Sequence, residues 1–145
     1  MLQQTSVNTP STNDLRRAIF SDETPRYRFP AEPDAGETVR LRVRVPKDTA
    51  DRVVLSVGEE QIGILMTKVV QSDTVLGNAY FDLYEVSIVC PKNEMHYRFL
   101  IRCGETVFCC NRIGVSVLSP GEKSASNGDF RIFPGFHVPE WAKGA

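Results

Sequence analysis

The chain has 145 residues, of which 41% are hydrophobic and 24% charged, and these values are typical of one soluble globular domain. Its 17 basic and 18 acidic residues are interspersed and give a net charge of −1, which argues against a nucleic-acid partner and against electrostatic attachment to a membrane. A membrane span is not expected either, because no apolar run approaches about 18 residues.

The N-terminal segment, residues 1–17, is rich in small polar residues at its start. We expect it to be a flexible leader with at most one short helical turn, capped at Ser11. Residues 1–13 lack the basic start and the apolar stretch of a secretory signal, so the sequence indicates a cytoplasmic protein. No segment repeats apolar residues at helical spacing over three turns, and no further helix is predicted.

Apolar and polar residues alternate in several segments, as expected for strands with one buried and one exposed face. In residues 38–45, valine and leucine alternate with Arg40, Arg42 and Arg44, so the arginines are predicted to face solvent. Residues 96–103 divide in the same way into an inward set and an outward set, which are Tyr97, Phe99 and Ile101 against His96, Arg98 and Arg102.

Turn signals separate these segments, and no helix alternates with them. The pattern therefore predicts an all-β protein, an antiparallel β-sandwich of seven or eight strands that occupies residues 18–136. Residues 27–29 form a further extended piece. The predicted strands are residues 18–21, 38–45, 52–57, 61–70, 80–89, 96–103, 107–110 and 130–133.

Four cysteines are present without a C-x-x-C pair, so a zinc site is not expected. A disulfide has no support from their spacing. Free thiols fit better, with Cys90, Cys103 and Cys109 as small core residues. A looser set of Asp73, Asn78 and Asp82 leaves calcium ligation open. We otherwise predict no metal and no cofactor.

Catalytic residues are not evident. No serine lies in a G-x-S-x-G turn, His96 falls on the predicted exposed face of its strand, and His137 lies in the proline-rich tail. Glycoside hydrolysis requires two carboxylates on opposite sides of one sugar ring. Asp82 and Glu85 are three apart on a strand and point to opposite faces. We therefore predict no catalytic residue in this chain.

Sugar binding is the remaining chemistry, because sugar rings bind flat aromatic side chains together with polar groups. Phe81 and Phe108 have the opposite parity from their apolar neighbours, and Tyr27 and Tyr80 lie near strand ends. We predict these four as carbohydrate-binding residues. The alternative for each is core packing or inter-domain contact, because aromatic residues are most often structural.

The C-terminal residues 133–145 are extended and apolar, and they contain Pro139, Trp141, Ala142, Lys143 and Ala145. This stretch resembles the P-x-W-A-K-x-A junction that precedes the catalytic barrel in neopullulanases, cyclomaltodextrinases and maltogenic amylases. Upstream segments resemble the same family in the right order: Ala18-Ile19-Phe20-Ser21, Val39-Arg40-Leu41-Arg42, Phe81-Asp82-Leu83-Tyr84-Glu85 and Tyr97-Arg98-Phe99.

The resemblance implies an immunoglobulin-like domain of the carbohydrate-binding module family 34 type. It implies a non-catalytic N-terminal accessory domain of an α-amylase-family glycoside hydrolase that acts on maltodextrin, cyclodextrin or pullulan. Residues 137–145 would then be a truncated linker to the catalytic barrel, with Trp141 and Phe136 docking on that barrel. Further partners would be maltooligosaccharide or cyclodextrin and a second subunit in a homodimer.

Departures from the family pattern weaken the case for sugar binding. Residues 58–62 contain no aromatic residue, and Leu83 replaces one. These changes favour the alternative of a purely structural inter-domain or dimerisation β-sandwich without sugar binding. A free-standing enzyme and an unrelated adhesion-type sandwich are the remaining alternatives.

Overall fold

The computed structural model describes residues 11–69, 80–119 and 128–136, which form a short helix and ten β-strands. The predicted leader up to residue 10, the loop around Asp73 and Asn78, and the segment with His137 and Trp141 lie outside the described residues. The elements are α1 (Thr12–Ala18), β1 (Arg28–Phe29), β2 (Thr38–Pro46), β3 (Arg52–Val57), β4 (Ile62–Leu65), β5 (Thr67–Lys68), β6 (Phe81–Val89), β7 (Met95–Cys103), β8 (Thr106–Cys110), β9 (Val115–Leu118) and β10 (Phe130–Ile132).

The strands form two antiparallel sheets. One has four strands in the order β1-β2-β6-β5, and the other has the order β4-β3-β7-β8-β9, with β10 paired to the start of β7. The predicted all-β, immunoglobulin-like β-sandwich is confirmed, with ten described strands rather than seven or eight. The additional strands are two to four residues long, too short for alternation to reveal them.

The core lies between the two sheets. On β2 the four residues Val39, Leu41, Val43 and Val45 are fully buried, and the intervening arginines are half-buried on the outer side, as predicted. The opposite sheet contributes four fully buried aromatic rings, Tyr97, Phe99, Phe108 and Phe130. The Tyr97 and Phe130 rings stack with centroids 5.3 Å apart, and each buried side chain stabilises the fold by about 1.5–3 kcal/mol.

Helix α1 occupies part of the predicted leader and the start of the predicted strand at residues 18–21. Its N-cap is Ser11, as predicted, with Oγ accepting a bond from the Asp14 N–H at 3.1 Å. The helix runs for seven residues rather than one turn, and Arg16 and Arg17 lie at its C-terminal end, where the helix dipole favours cations. The expected first strand reduces to an isolated bridge between Phe20 and Arg44.

The segment at residues 61–70, predicted as one strand, is divided between the two sheets. Its first part, β4, pairs with β3, and its second part, β5, pairs with β6. Met66 lies between them, is 4% exposed and packs into the core. Strand β9 was not predicted. None of the helices among the described residues is long and apolar enough to cross a membrane.

Candidate functional site

The outer face of the four-stranded sheet brings together arginine and aromatic side chains. Phe29 lies opposite Arg40, and Phe81 lies opposite Pro46 on the neighbouring strands. Phe20 bridges to Arg44 on the same face. Residues directly opposite on antiparallel strands share a face, so these side chains form one surface. We call it the arginine–aromatic face, defined by Phe20, Phe29, Arg40, Arg44 and Phe81.

Guanidinium groups hold the rings of this face in place. Arg44 Cζ lies 4.1 Å from the ring centroid of Phe81 and 5.6 Å from that of Phe20. Arg40 Cζ lies 5.8 Å from the ring centroid of Phe29. Such cation–π contacts contribute about 0.5–1 kcal/mol each at exposed sites. The rings remain partly accessible, with 56% of Phe29 and 41% of Phe20 exposed.

Two of the four residues predicted to bind carbohydrate lie at an accessible part of this surface. Tyr80 is 76% exposed, and the adjacent Phe81 is half-buried under Arg44. The backbone there is anchored, because the Lys47 N–H donates to the Tyr80 carbonyl at 2.9 Å. Tyr80 is thus the exposed residue that precedes Phe81 at the start of β6, at the edge of the arginine–aromatic face.

The other two predicted sugar-binding residues are buried, and this corrects the prediction. Tyr27 is 5% exposed, packs with Leu83 under the arginine–aromatic face, and meets the Phe20 ring edge-on at 5.3 Å. Phe108 is fully buried in the main core. Residues 108–110 are all buried, so both faces of this part of β8 are covered. The alternation of side chains along the strand therefore could not identify an exposed residue.

A cluster of charged residues that the sequence did not predict lies beside β7. Arg98 is fully buried rather than outward-facing. It donates to both carboxylate oxygens of Asp129, to Ser56 Oγ at 2.7 Å and to the Gly58 carbonyl at 3.1 Å. His96 Nδ1 contacts the same carboxylate. The predicted outward position holds for Arg102, which is exposed.

This cluster is a structural connection rather than a reactive centre. Asp129 and Arg98 are both 0% exposed, so no substrate reaches the carboxylate. Both oxygens of the carboxylate are also occupied by hydrogen bonds from the Arg98 guanidinium group. The sequence did not predict this cluster, because Asp129 is distant along the chain from β7. The only local feature that the sequence showed there was a turn at Asn127 and Gly128.

A cleft opens where β10 and the turn after it meet the segment around β1. Its volume is about 350 Å³. Phe133 and Phe136 line it and are 51% and 58% exposed. We call it the 133–136 cleft. Its other lining residues are Glu23, Arg28, Ala31, Glu32, Pro33, Arg112 and Arg131. Of these lining residues, the sequence had predicted a role only for Phe136, as a residue that docks on another domain.

Metal binding and thiol chemistry find no support in the described ranges. They contain no group of three or more His, Cys, Asp or Glu residues arranged to hold a metal ion. All four cysteines are free. Burial raises the pKa of the Cys110 thiol to about 12, and burial raises the pKa of Cys90 as well, so both are unreactive neutral thiols.

The chain is similar to known proteins in both sequence and fold. A family model described as "Alpha amylase, N-terminal ig-like domain" matches residues 15–131. Among solved structures, a cyclomaltodextrinase is similar with a TM-score of 0.61 and 20% identity, over 86% of this chain and 21% of that one. A comparison with curated proteins gave no match.

Two further solved structures are similar. One is the maltogenic amylase from S. marinus, with a TM-score of 0.56 and 16% identity over 92% of this chain and 17% of that one. The other is the type III pullulan hydrolase from Thermococcus kodakarensis, with a TM-score of 0.50 and 18% identity over 85% and 18% of the two chains. At these identities the likeness concerns the fold, and the chain spans about one fifth of the length of each structure.

Proposed function

This chain belongs to the family of N-terminal Ig-like domains of α-amylases, and on that premise we propose that it assists a glycoside hydrolase without cleaving sugars itself. The parent enzyme would act on starch-type α-glucans such as maltodextrin, cyclodextrin or pullulan. Two of the similar structures are named for cyclomaltodextrin and pullulan, which supports this substrate class. The domain would be of the carbohydrate-binding module family 34 type.

The observation that carries the sugar-binding role is the exposed ring of Tyr80 beside Phe81. A pyranose ring presents apolar C–H groups on its faces, which an exposed aromatic ring covers, and hydroxyl groups at its edge. Tyr80 offers 76% of its surface, and its phenolic oxygen can donate and accept hydrogen bonds. Arg44 Cζ lies 4.1 Å from the ring centroid of Phe81 and brings guanidinium donors to that ring.

A second role, docking on another protein surface, has its own support in the arginine–aromatic face. Protein interfaces are enriched in arginine and aromatic residues, and energetically dominant positions most often carry tyrosine, tryptophan or arginine. Phe29 is 56% exposed while an arginine stacks against it. The face would bind the catalytic barrel or a second subunit. Docking of Trp141 and Phe136 on the barrel is a separate prediction from the sequence.

Titration with maltoheptaose and β-cyclodextrin tests the sugar-binding role. We expect weak binding by the wild-type chain, and a loss of about threefold to tenfold in affinity for Tyr80→Ala, the change that corresponds to one aromatic contact. Val89→Ala is the matched control, because Val89 is 67% exposed at the opposite end of β6. Absence of binding by the wild type would eliminate the sugar-binding role.

The docking role and the absence of catalysis need separate measurements. Sedimentation velocity of wild type and Phe29→Ala tests self-association, since loss of this ring would weaken a dimer formed through the arginine–aromatic face. Incubation with soluble starch tests catalysis, and we expect no release of reducing sugar. Sugar released by the pure chain would show that it is itself an enzyme.

A further inference from the structure

We propose that the 133–136 cleft is a second α-glucan-binding site, separate from Tyr80 and Phe81. In this site glucose rings stack on Phe133 or Phe136, and their hydroxyl groups bond to Arg28, Arg112 and Glu23. The inference rests on the proposed function for the class of ligand. The location of the site and the residues that contact the sugar are inferred from the lining of the cleft.

The two phenylalanine rings are held at the cleft by a turn with fixed geometry. The Phe136 N–H donates to the Phe133 carbonyl at 3.0 Å, and the Gly135 N–H donates to the Pro33 carbonyl at 3.0 Å. Gly135 has φ +80°, which favours glycine. Both residues are more than half exposed, and these hydrogen bonds fix the backbone that carries them. Such fixed apolar surfaces lower the entropic cost of binding.

The polar floor of the cleft is equally well ordered. Arg28 is 8% exposed. Its Nε donates to the Ala31 carbonyl at 2.9 Å, and its Nη1 donates to the Arg131 carbonyl at 2.9 Å. Nη1 also lies 3.3 Å from both Glu23 Oε2 and the Tyr97 hydroxyl oxygen. These bonds use Nε and Nη1 and fix the guanidinium group of Arg28 in the lining of the cleft.

The charges around the cleft favour a neutral ligand over an anion. Arg28 is paired with Glu23, and Arg131 is paired with Glu94. Arg112 and Glu32 carry opposite charges and line the same cleft. An anion site would need an excess of positive charge, whereas donors and acceptors in balance match the hydroxyl groups of a sugar, each of which both donates and accepts.

The size of the cleft agrees with this class of ligand. Small-molecule sites in proteins measure about 300–1,000 Å³ and combine aromatic walls with a few placed polar groups. At about 350 Å³ the cleft holds the end of an oligosaccharide.

The test is a titration of the whole chain with maltoheptaose, followed by ¹H–¹⁵N NMR and calorimetry. We expect the Gly135 amide and the Arg28 Nε–H signals to shift on addition of sugar. The double variant Phe133→Ala/Phe136→Ala should lose about threefold to tenfold in affinity for each ring that contacts the sugar. Both rings are exposed, so the variant should fold; Val89→Ala is the matched control.

The possible results separate the two proposals. If wild type binds maltoheptaose and the cleft signals do not move, the cleft site is wrong while the Tyr80 surface retains the proposed function. If the cleft signals respond to inorganic phosphate and not to maltoheptaose, the cleft is an anion site and the inference is overturned. If wild type binds no sugar at all, both proposals fail. Equal affinity of the double variant and wild type would also refute the cleft site.

Discussion

Arg98 and Asp129 form a buried bidentate ion pair, with Nε 2.8 Å from Oδ1 and Nη2 2.6 Å from Oδ2. Both side chains are 0% exposed. The pair connects the middle of β7 to the residue that precedes β10, and through Ser56 it also connects to β3. Removal of either partner leaves a charge in the protein interior without compensation.

Asp129→Ala should therefore destabilise the domain by about 3–5 kcal/mol, because the Arg98 guanidinium remains buried and unpaired. Urea unfolding followed by far-UV circular dichroism measures this change. The double variant Arg98→Met/Asp129→Leu should recover most of the loss, since it removes both charges and keeps apolar volume. Equal destabilisation of the single and double variants would show that the charge pair is not the cause.

An exposed ion pair provides the control for this prediction. Arg131 and Glu94 are in contact, but their side chains are 37% and 42% exposed. Water screens such a pair, so Glu94→Gln should cost less than about 1 kcal/mol in the same unfolding experiment.

Replacement of Arg28 tests whether this guanidinium group holds the floor of the 133–136 cleft. Arg28→Lys loses the geometry that reaches the Ala31 and Arg131 carbonyls together, and we expect a loss of about 2 kcal/mol. Tyr97→Phe removes one longer contact of 3.3 Å and should cost about 0.5–1 kcal/mol. Thermal unfolding of both variants measures which of them is more destabilised. A larger loss for Tyr97→Phe than for Arg28→Lys would show that Arg28 does not hold the floor of the cleft.

Alkaline pH should destabilise the protein through Cys110. Burial raises the pKa of this thiol from 9.0 to about 12 in the folded state. Above pH 9 the unfolded chain loses the proton while the folded chain keeps it, so the free energy of unfolding falls as pH rises. The slope contributed by one such group is up to about 1.4 kcal/mol per pH unit.

Urea unfolding between pH 7 and pH 10.5 tests this dependence, with pH chosen to span the ordinary thiol pKa. The Cys110→Ala variant should show a shallower decline than wild type above pH 9. Burial also raises the pKa of Tyr97 from 10.0, so a residual decline should remain above pH 10. Identical slopes for wild type and variant would disprove a contribution from Cys110.

Thiol modification should distinguish Cys103 from the other cysteines. Cys103 is half-buried, whereas Cys90, Cys109 and Cys110 are each 2% exposed. We expect iodoacetamide to label one thiol of the folded protein first and the other three only after denaturation, as counted by mass spectrometry. The Cys103→Ser variant should lack the early label. Early labelling of a second site would show that the core opens locally at a cost lower than global unfolding.

Several elements could be predicted because their signal is local. On β2 the alternation of valine and leucine with arginine identifies the buried face without knowledge of any partner strand. The N-cap at Ser11 was likewise visible, but the length of α1 was not. The prediction of one strand at residues 61–70 was wrong, because the two halves on either side of Met66 pair with different sheets. Only the assembled pair of sheets shows where the segment divides.

The candidate sites depended more strongly on tertiary structure. Phe81 and Phe108 were both predicted from residue type and strand parity, but Phe81 is half-buried whereas Phe108 is fully buried. No local pattern distinguishes them, because exposure depends on what covers the strand. The 133–136 cleft combines residues more than 100 positions apart, such as Glu23 and Phe136, and only the fold brings them together.

By itself, the sequence determined that the strands have two unlike faces, that valine, leucine and aromatic residues form the inner one, and that the chain folds as a β-sandwich. Tertiary structure decided that Arg98 is buried, that Phe108 belongs to the core and that Phe133 and Phe136 border a cleft. The physical reason is that side-chain direction along a strand is a local property of the backbone. Burial is a property of pairing and packing between segments that are distant along the chain.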